Sequence, residues 1–130
     1  MFEQPEGMVH EWGNRVDDHV RRVTELNQQI ESSRVTADSP NGEVRVTVDA
    51  TGSLSDLELR EQASRLDRRA LAQLILSTSR KAQGLMAQQV SRLAEEAMGR
   101  GSETANFISS TYTSKFPPPP EDEDSPRAPR

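Results

Sequence analysis

Residues 43–99 constrain this 130-residue chain more than any other stretch. Val44, Val46 and Val48 alternate with Arg45, Thr47 and Asp49, the period of two that gives a strand one apolar and one wet face. Ala50-Thr51-Gly52-Ser53 is a turn cluster, after which Leu57 and Leu59 resume the alternation around Glu58. Leu54 is out of phase with that pair, which predicts a bulge or a late strand start near residues 53–55. Upstream, Val35 and Ala37 alternate within residues 34–38. Ser39-Pro40-Asn41-Gly42 then gives a strong turn signal, because proline fixes φ and Asn-Gly tolerates positive φ. Three short strands in succession predict an antiparallel meander.

Helical patterns flank the strands. Val9, Val16, Val23 and Ile30 recur at heptad spacing, with Trp12, His19 and Leu26 at the complementary positions. The narrow seam predicts a helix of about 24 residues that either covers its own sheet or pairs with a second copy of itself. After the strands, Asp67 suits an N-cap, with Ser64 as an alternative start. Leu71, Leu74, Ile75, Thr78, Ala82, Leu85, Met86, Gln89 and Leu93 form one stripe that should stop at Gly99-Arg100-Gly101. The predicted fold class is α+β: an α-β-β-β-α protomer with a three-stranded antiparallel meander between two long helices. The domain spans residues 9–99. Residues 1–8 read as a disordered lead-in and residues 100–130 as a disordered, proline-rich acidic tail without periodicity. Within the tail, Pro117–Pro120 is either a solvated linker or a polyproline ligand, and Glu121–Asp124 a solubilising or self-shielding run.

With 32% hydrophobic and 4% aromatic residues, such a chain builds only a modest core alone, so a homodimer is expected. Val44, Val46, Val48, Leu57 and Leu59 are its predicted interface. The absence of cysteine excludes disulfides and thiolate chemistry and suits the cytoplasm. No apolar run approaches the roughly 20 residues of a membrane span, and the acidic N-terminus lacks signal-peptide character, so no membrane partner is expected.

Catalysis finds no support. His10 and His19 fall on different faces of the first helix, and no Cys/His metal spacing, glycine-rich phosphate loop or nucleophile elbow occurs. The expectation is a non-enzyme with no cofactor, no metal and no small-molecule substrate. Trp12-Gly13 invites comparison with the Trp-x-Gly turn of small secreted helical hairpins, but the spacing differs and strands follow.

Charge is the strongest functional signal. The net charge is −5, yet residues 60–100 carry seven Arg and one Lys against four acids. Arg60, Arg65, Arg68 and Arg69 cluster where the second helix begins, and Arg80 and Lys81 follow. On a helix Arg69 and Arg80 differ by about 20° and about 16 Å along the axis. Such a row is either a solvated helix face or a set of phosphate contacts. Single-strand stacking platforms are absent, so a nucleic-acid partner would be duplex.

The order of elements, together with the run VRVTVDATGSLSDLELR…LDRRALAQLILSTSRKAQ, resembles the YbaB/EbfC family of small bacterial proteins over about residues 9–99. The resemblance implies an intertwined dimer whose long helices project like tweezers, a cytoplasmic, nucleoid-associated role, and binding to duplex DNA with loose sequence preference. The chain departs from the usual family member in the arginines at the start of the second helix, the acidic first helix and the long tail, and its Arg/Ala/Pro-rich style is similar to divergent actinobacterial paralogues associated with type VII secretion. These imply an alternative role as a protein–protein adaptor or chaperone with a protein partner.

Overall fold

The structure, a computed structural model, describes the backbone of residues 3–116 and the side chains of residues 12–116. Along the chain come α1 (Glu3–Glu31), β1 (Arg34–Asp38), β2 (Val44–Asp49), β3 (Leu54–Leu59), a 3-10 turn at Glu61–Arg65, α2 (Arg68–Met98) and α3 (Glu103–Lys115). The α-β-β-β-α order matches the expectation, with α3 added. α1 starts at Glu3 rather than Val9, taking in most of the supposed lead-in. The proline run and the acidic run lie outside the described residues.

The strands form one antiparallel meander in the order β1-β2-β3. Thr47 sits opposite Asp56 and Val48 opposite Leu54, which leaves Ser55 as the extra residue of a β-bulge. That bulge resolves the phase problem at Leu54. Leu54, Leu57 and Leu59 stand opposite Val48, Val46 and Val44, so all six project from one face.

This face meets α2 mainly over β1 and β2. Val44, Val46 and Val48 are fully enclosed there, with Ala82, Met86, Val90 and Ala94 of α2 equally buried against them. The three valines assigned above to a dimer interface therefore belong to the protomer's own core, which leaves them no surface to offer a partner. α1 adds Leu26 and Ile30 from its last two turns, whereas Trp12, Val16 and Val20 nearer its start are exposed. The second half of the heptad seam thus covers its own core and the first half is open.

α2 begins at Asp67, whose side chain accepts from the Ala70 amide, and ends at Gly99 with positive φ, as the sequence predicts. Its buried face keeps Thr78, Ala82 and Met86 of the predicted stripe but is rotated slightly from it, so Leu85 is partly exposed while Ser79 is buried. The Thr78 and Ser79 hydroxyls donate to the carbonyls of Leu74 and Ile75, each at 2.7 Å, which removes the cost of burying them.

α3 occupies a stretch read from sequence as tail. Ser102 caps it by accepting from the Ala105 amide, and the helix packs back along α2, with the Ser91 and Ser109 hydroxyls 2.7 Å apart. Phe116 closes it, buried over Gly52 in the β2–β3 turn. Gly52 has φ +84° and no room for a Cβ beneath the Phe116 ring, so both its conformation and its size are required.

Candidate nucleic-acid interface

The six cations singled out from sequence divide into groups with different environments. Arg60 leaves β3 with its backbone amide on the Glu43 carbonyl and folds its guanidinium over the β1–β2 turn. There Nε donates to Glu58 Oε2 at 3.2 Å, Nη1 to the Gly42 carbonyl at 3.4 Å, and Nη2 lies 3.9 Å from Asp38 Oδ1. Lys81, half-buried, donates to the Asp38 carbonyl at 3.3 Å. Both tie the hairpin to its surroundings.

The same turn holds further polar closure. Arg45, opposite Asp38 in the ladder, makes a two-point contact with it at 2.8 and 3.3 Å, and this hydrogen bond is the main cause that lowers the Asp38 pKa. Glu43 is lowered chiefly by its own backbone amide and then by the Ser39 hydroxyl at 2.8 Å, which in turn accepts from the Val44 amide.

Arg65, Arg68 and Arg69 are different. All three are exposed, and among the described residues no ion pair engages them. Arg65 ends the 3-10 turn and Arg68 and Arg69 open α2, so backbone geometry brings them together at one end of the helix. The first turn of α2 contains no acid, so these charges add to the positive end of the helix dipole. The Asp67 carboxylate at the N-cap is the nearest negative charge at this helix end. Arg80 is exposed farther along α2 and is engaged by a neighbour.

A second exposed surface adjoins β3. Leu54, Leu57 and Leu59 remain 48%, 41% and 48% exposed although they continue the face whose valines are buried, because α2 lies mainly over the other two strands. An edge strand carrying three half-exposed leucines is an apolar ledge with open backbone groups. Leu54 joins it only through the bulge, which explains why the alternation pattern missed it. Arg92, on the rim of a groove of about 300 Å³ between α2 and α3, was also missed, because that groove exists only once α3 does.

The described residues thus form a small α+β protomer with an exposed arginine cluster at the start of its long helix and an apolar ledge at its sheet edge. The sequence profile of the YbaB/EbfC DNA-binding family matches residues 11–101, and the chain belongs to that family. No curated protein matches it significantly. Among the described residues no helix is long and apolar enough to cross a membrane.

Proposed function

We propose that the protein is a non-enzymatic, nucleoid-associated protein that binds duplex DNA as a homodimer, mainly through phosphate contacts. Membership of the DNA-binding family over residues 11–101 is the observation that carries this reading. The exposed cluster of Arg65, Arg68 and Arg69 supplies a physical means, since unpaired guanidiniums release counterions from the duplex without reading its bases. Arg80 extends the row along α2. Arg60 and Lys81, held by the β1–β2 turn, act as its support. The second copy covers the ledge of Leu54, Leu57 and Leu59, doubling the number of phosphate contacts. The module works in the cytoplasm, on the nucleoid.

A gel-shift titration over a salt series tests this. Replacing Arg65, Arg68 and Arg69 by Ala should lower the slope of log K against log salt by about 2.7 for each protomer engaged, at about 0.9 per phosphate contact. Absence of duplex binding by the wild-type chain at about 50 mM salt, where electrostatic binding is strongest, would refute it.

One observation favours a second reading, a protein–protein adaptor or secretion chaperone. Trp12 and Val16 leave the first half of the α1 seam open, with Val20 exposed beside it. A protein partner that stays bound after Arg69→Ala plus Arg80→Ala, and is lost on Trp12→Ala plus Val16→Ala, would support that role.

A further inference from the structure

The structure fixes where Phe116, the last described residue, sits relative to α2. α3 is antiparallel to α2: after the turn at residues 99–102, Ser109 meets Ser91, and Thr113 and Phe116 line the groove with Gly84 and Ala87. Phe116 is held in place against Gly52. The chain is therefore delivered alongside Gly84 while heading toward the start of α2.

From Gly84 back to Arg69 is fifteen residues, about 22 Å along the helix axis at 1.5 Å per residue. The segment that follows Phe116 opens with four prolines and continues Glu121-Asp122-Glu123-Asp124. An extended chain spans at most about 3.3–3.6 Å per residue, so residues five to eight places beyond Phe116 have a maximum reach of about 17–29 Å. That interval includes the position of Arg69, next to Arg68 and Arg65. The only run of four consecutive acids in the sequence is thus tethered within reach of the exposed arginines that no ion pair engages among the described residues.

We infer that Glu121–Asp124 docks in cis on Arg65, Arg68 and Arg69 and competes with DNA for them, an inference that rests on the proposed DNA-binding role. Individually such exposed pairs are weak, but the short tether raises the effective concentration of the acidic run to the millimolar range. The contact is reversible and salt-sensitive. It sets a threshold that a dense phosphate array passes and an isolated anion does not.

The absence of native cysteine allows a single spin label at Ser125→Cys in the full chain. Amide NMR signals of residues 65–72 should broaden at about 50 mM salt and recover at about 500 mM, where the Debye length is several-fold shorter than at low salt. Recovery should also follow Glu121→Gln, Asp122→Asn, Glu123→Gln and Asp124→Asn made together. Broadening absent from residues 65–72, or present equally when labelled chains are mixed with isotope-labelled unlabelled ones, overturns docking in cis. In the DNA titration, the chain ending at Phe116 and the four-residue neutral variant should each bind duplex about tenfold more tightly than the full chain at low salt, converging with it as salt rises. Unchanged affinity in both variants overturns the competition. Broadening at residues 65–72 with no DNA binding by any variant refutes the DNA-binding role while supporting the docking.

Discussion

β2 and β3 present the same face of one sheet, yet their apolar residues meet opposite conditions. Val44, Val46 and Val48 are sealed under α2, whereas Leu54, Leu57 and Leu59, their direct cross-strand partners, stand near half exposure. The difference is not hydrophobicity, since leucine buries more apolar area than valine. It comes from the reach of one helix, which lies mainly over two strands of three. A face that alternates correctly therefore contains both a core and an exposed ledge, and only the tertiary arrangement separates them.

A charge placed on each strand in turn should separate the two most strongly. Val46→Asp places an unpaired carboxylate in a fully enclosed site and should abolish cooperative thermal unfolding, a loss of at least about 4 kcal/mol. Leu57→Asp with Leu59→Asp should keep the protomer's circular dichroism spectrum while halving the mass measured by sedimentation. If the double aspartate unfolds the chain as Val46→Asp does, the leucines are core residues and the ledge does not exist.

A gentler pair sharpens the same contrast. Met86→Ala removes a fully buried side chain from the helix above β2 and should cost about 2–5 kcal/mol in urea unfolding. Leu54→Ala, at the bulge, should cost less than about 1 kcal/mol in the monomeric double-aspartate background. Equal costs would mean that cover from α2 is not what distinguishes the two strands.

The arginines repeat the lesson. Arg60 and Arg69 look alike in sequence, one on either side of a short turn, but Arg60 is committed to the hairpin and Arg69 is open. Arg60→Ala should lower stability by about 1 kcal/mol, in the upper range for exposed ion pairs because three contacts go together. Arg69→Ala should leave stability unchanged and weaken DNA binding. The reverse assignment, with Arg60→Ala silent in unfolding, would return Arg60 to the binding surface.

These contrasts also mark what the sequence could disclose. The meander, its turns, the bulge near Ser55 and both ends of α2 follow from local signals: alternation, Ser-Pro-Asn-Gly, the Asp67 cap and Gly99. α3 was hidden because its sequence is mostly small and polar, with Ala105, Ile108 and Tyr112 as its sparse apolar face. It is held by α2 rather than by its own periodicity. The separation of Arg60 and Lys81 from Arg65, Arg68 and Arg69 was illegible for another reason. Their partners, Gly42 and Asp38, are distant in sequence and meet them only through the hairpin. Local chemistry announces elements, whereas the division of one charge cluster into supports and open contacts is a property of the assembled fold.

The smallest expected effect tests whether the wet side of the sheet contributes at all. Asp38, Glu43 and Asp49 each have a pKa lowered by hydrogen bonds, from Arg45, from the Glu43 amide and from Thr51 respectively as the main causes. A carboxylate whose folded pKa lies below its unfolded value contributes stability above the ordinary carboxylate range and loses it as pH falls through the folded value. The melting temperature should therefore be flat from about pH 8 to about pH 5 and decline below about pH 4. Asp38→Asn should make that decline shallower, since its share of the proton uptake is gone. A decline that begins as pH rises above neutrality would contradict this sign. So would an acid limb identical in Asp38→Asn, which would show that the valine face alone sets the stability of the hairpin and that the polar closure of its turns only shapes it.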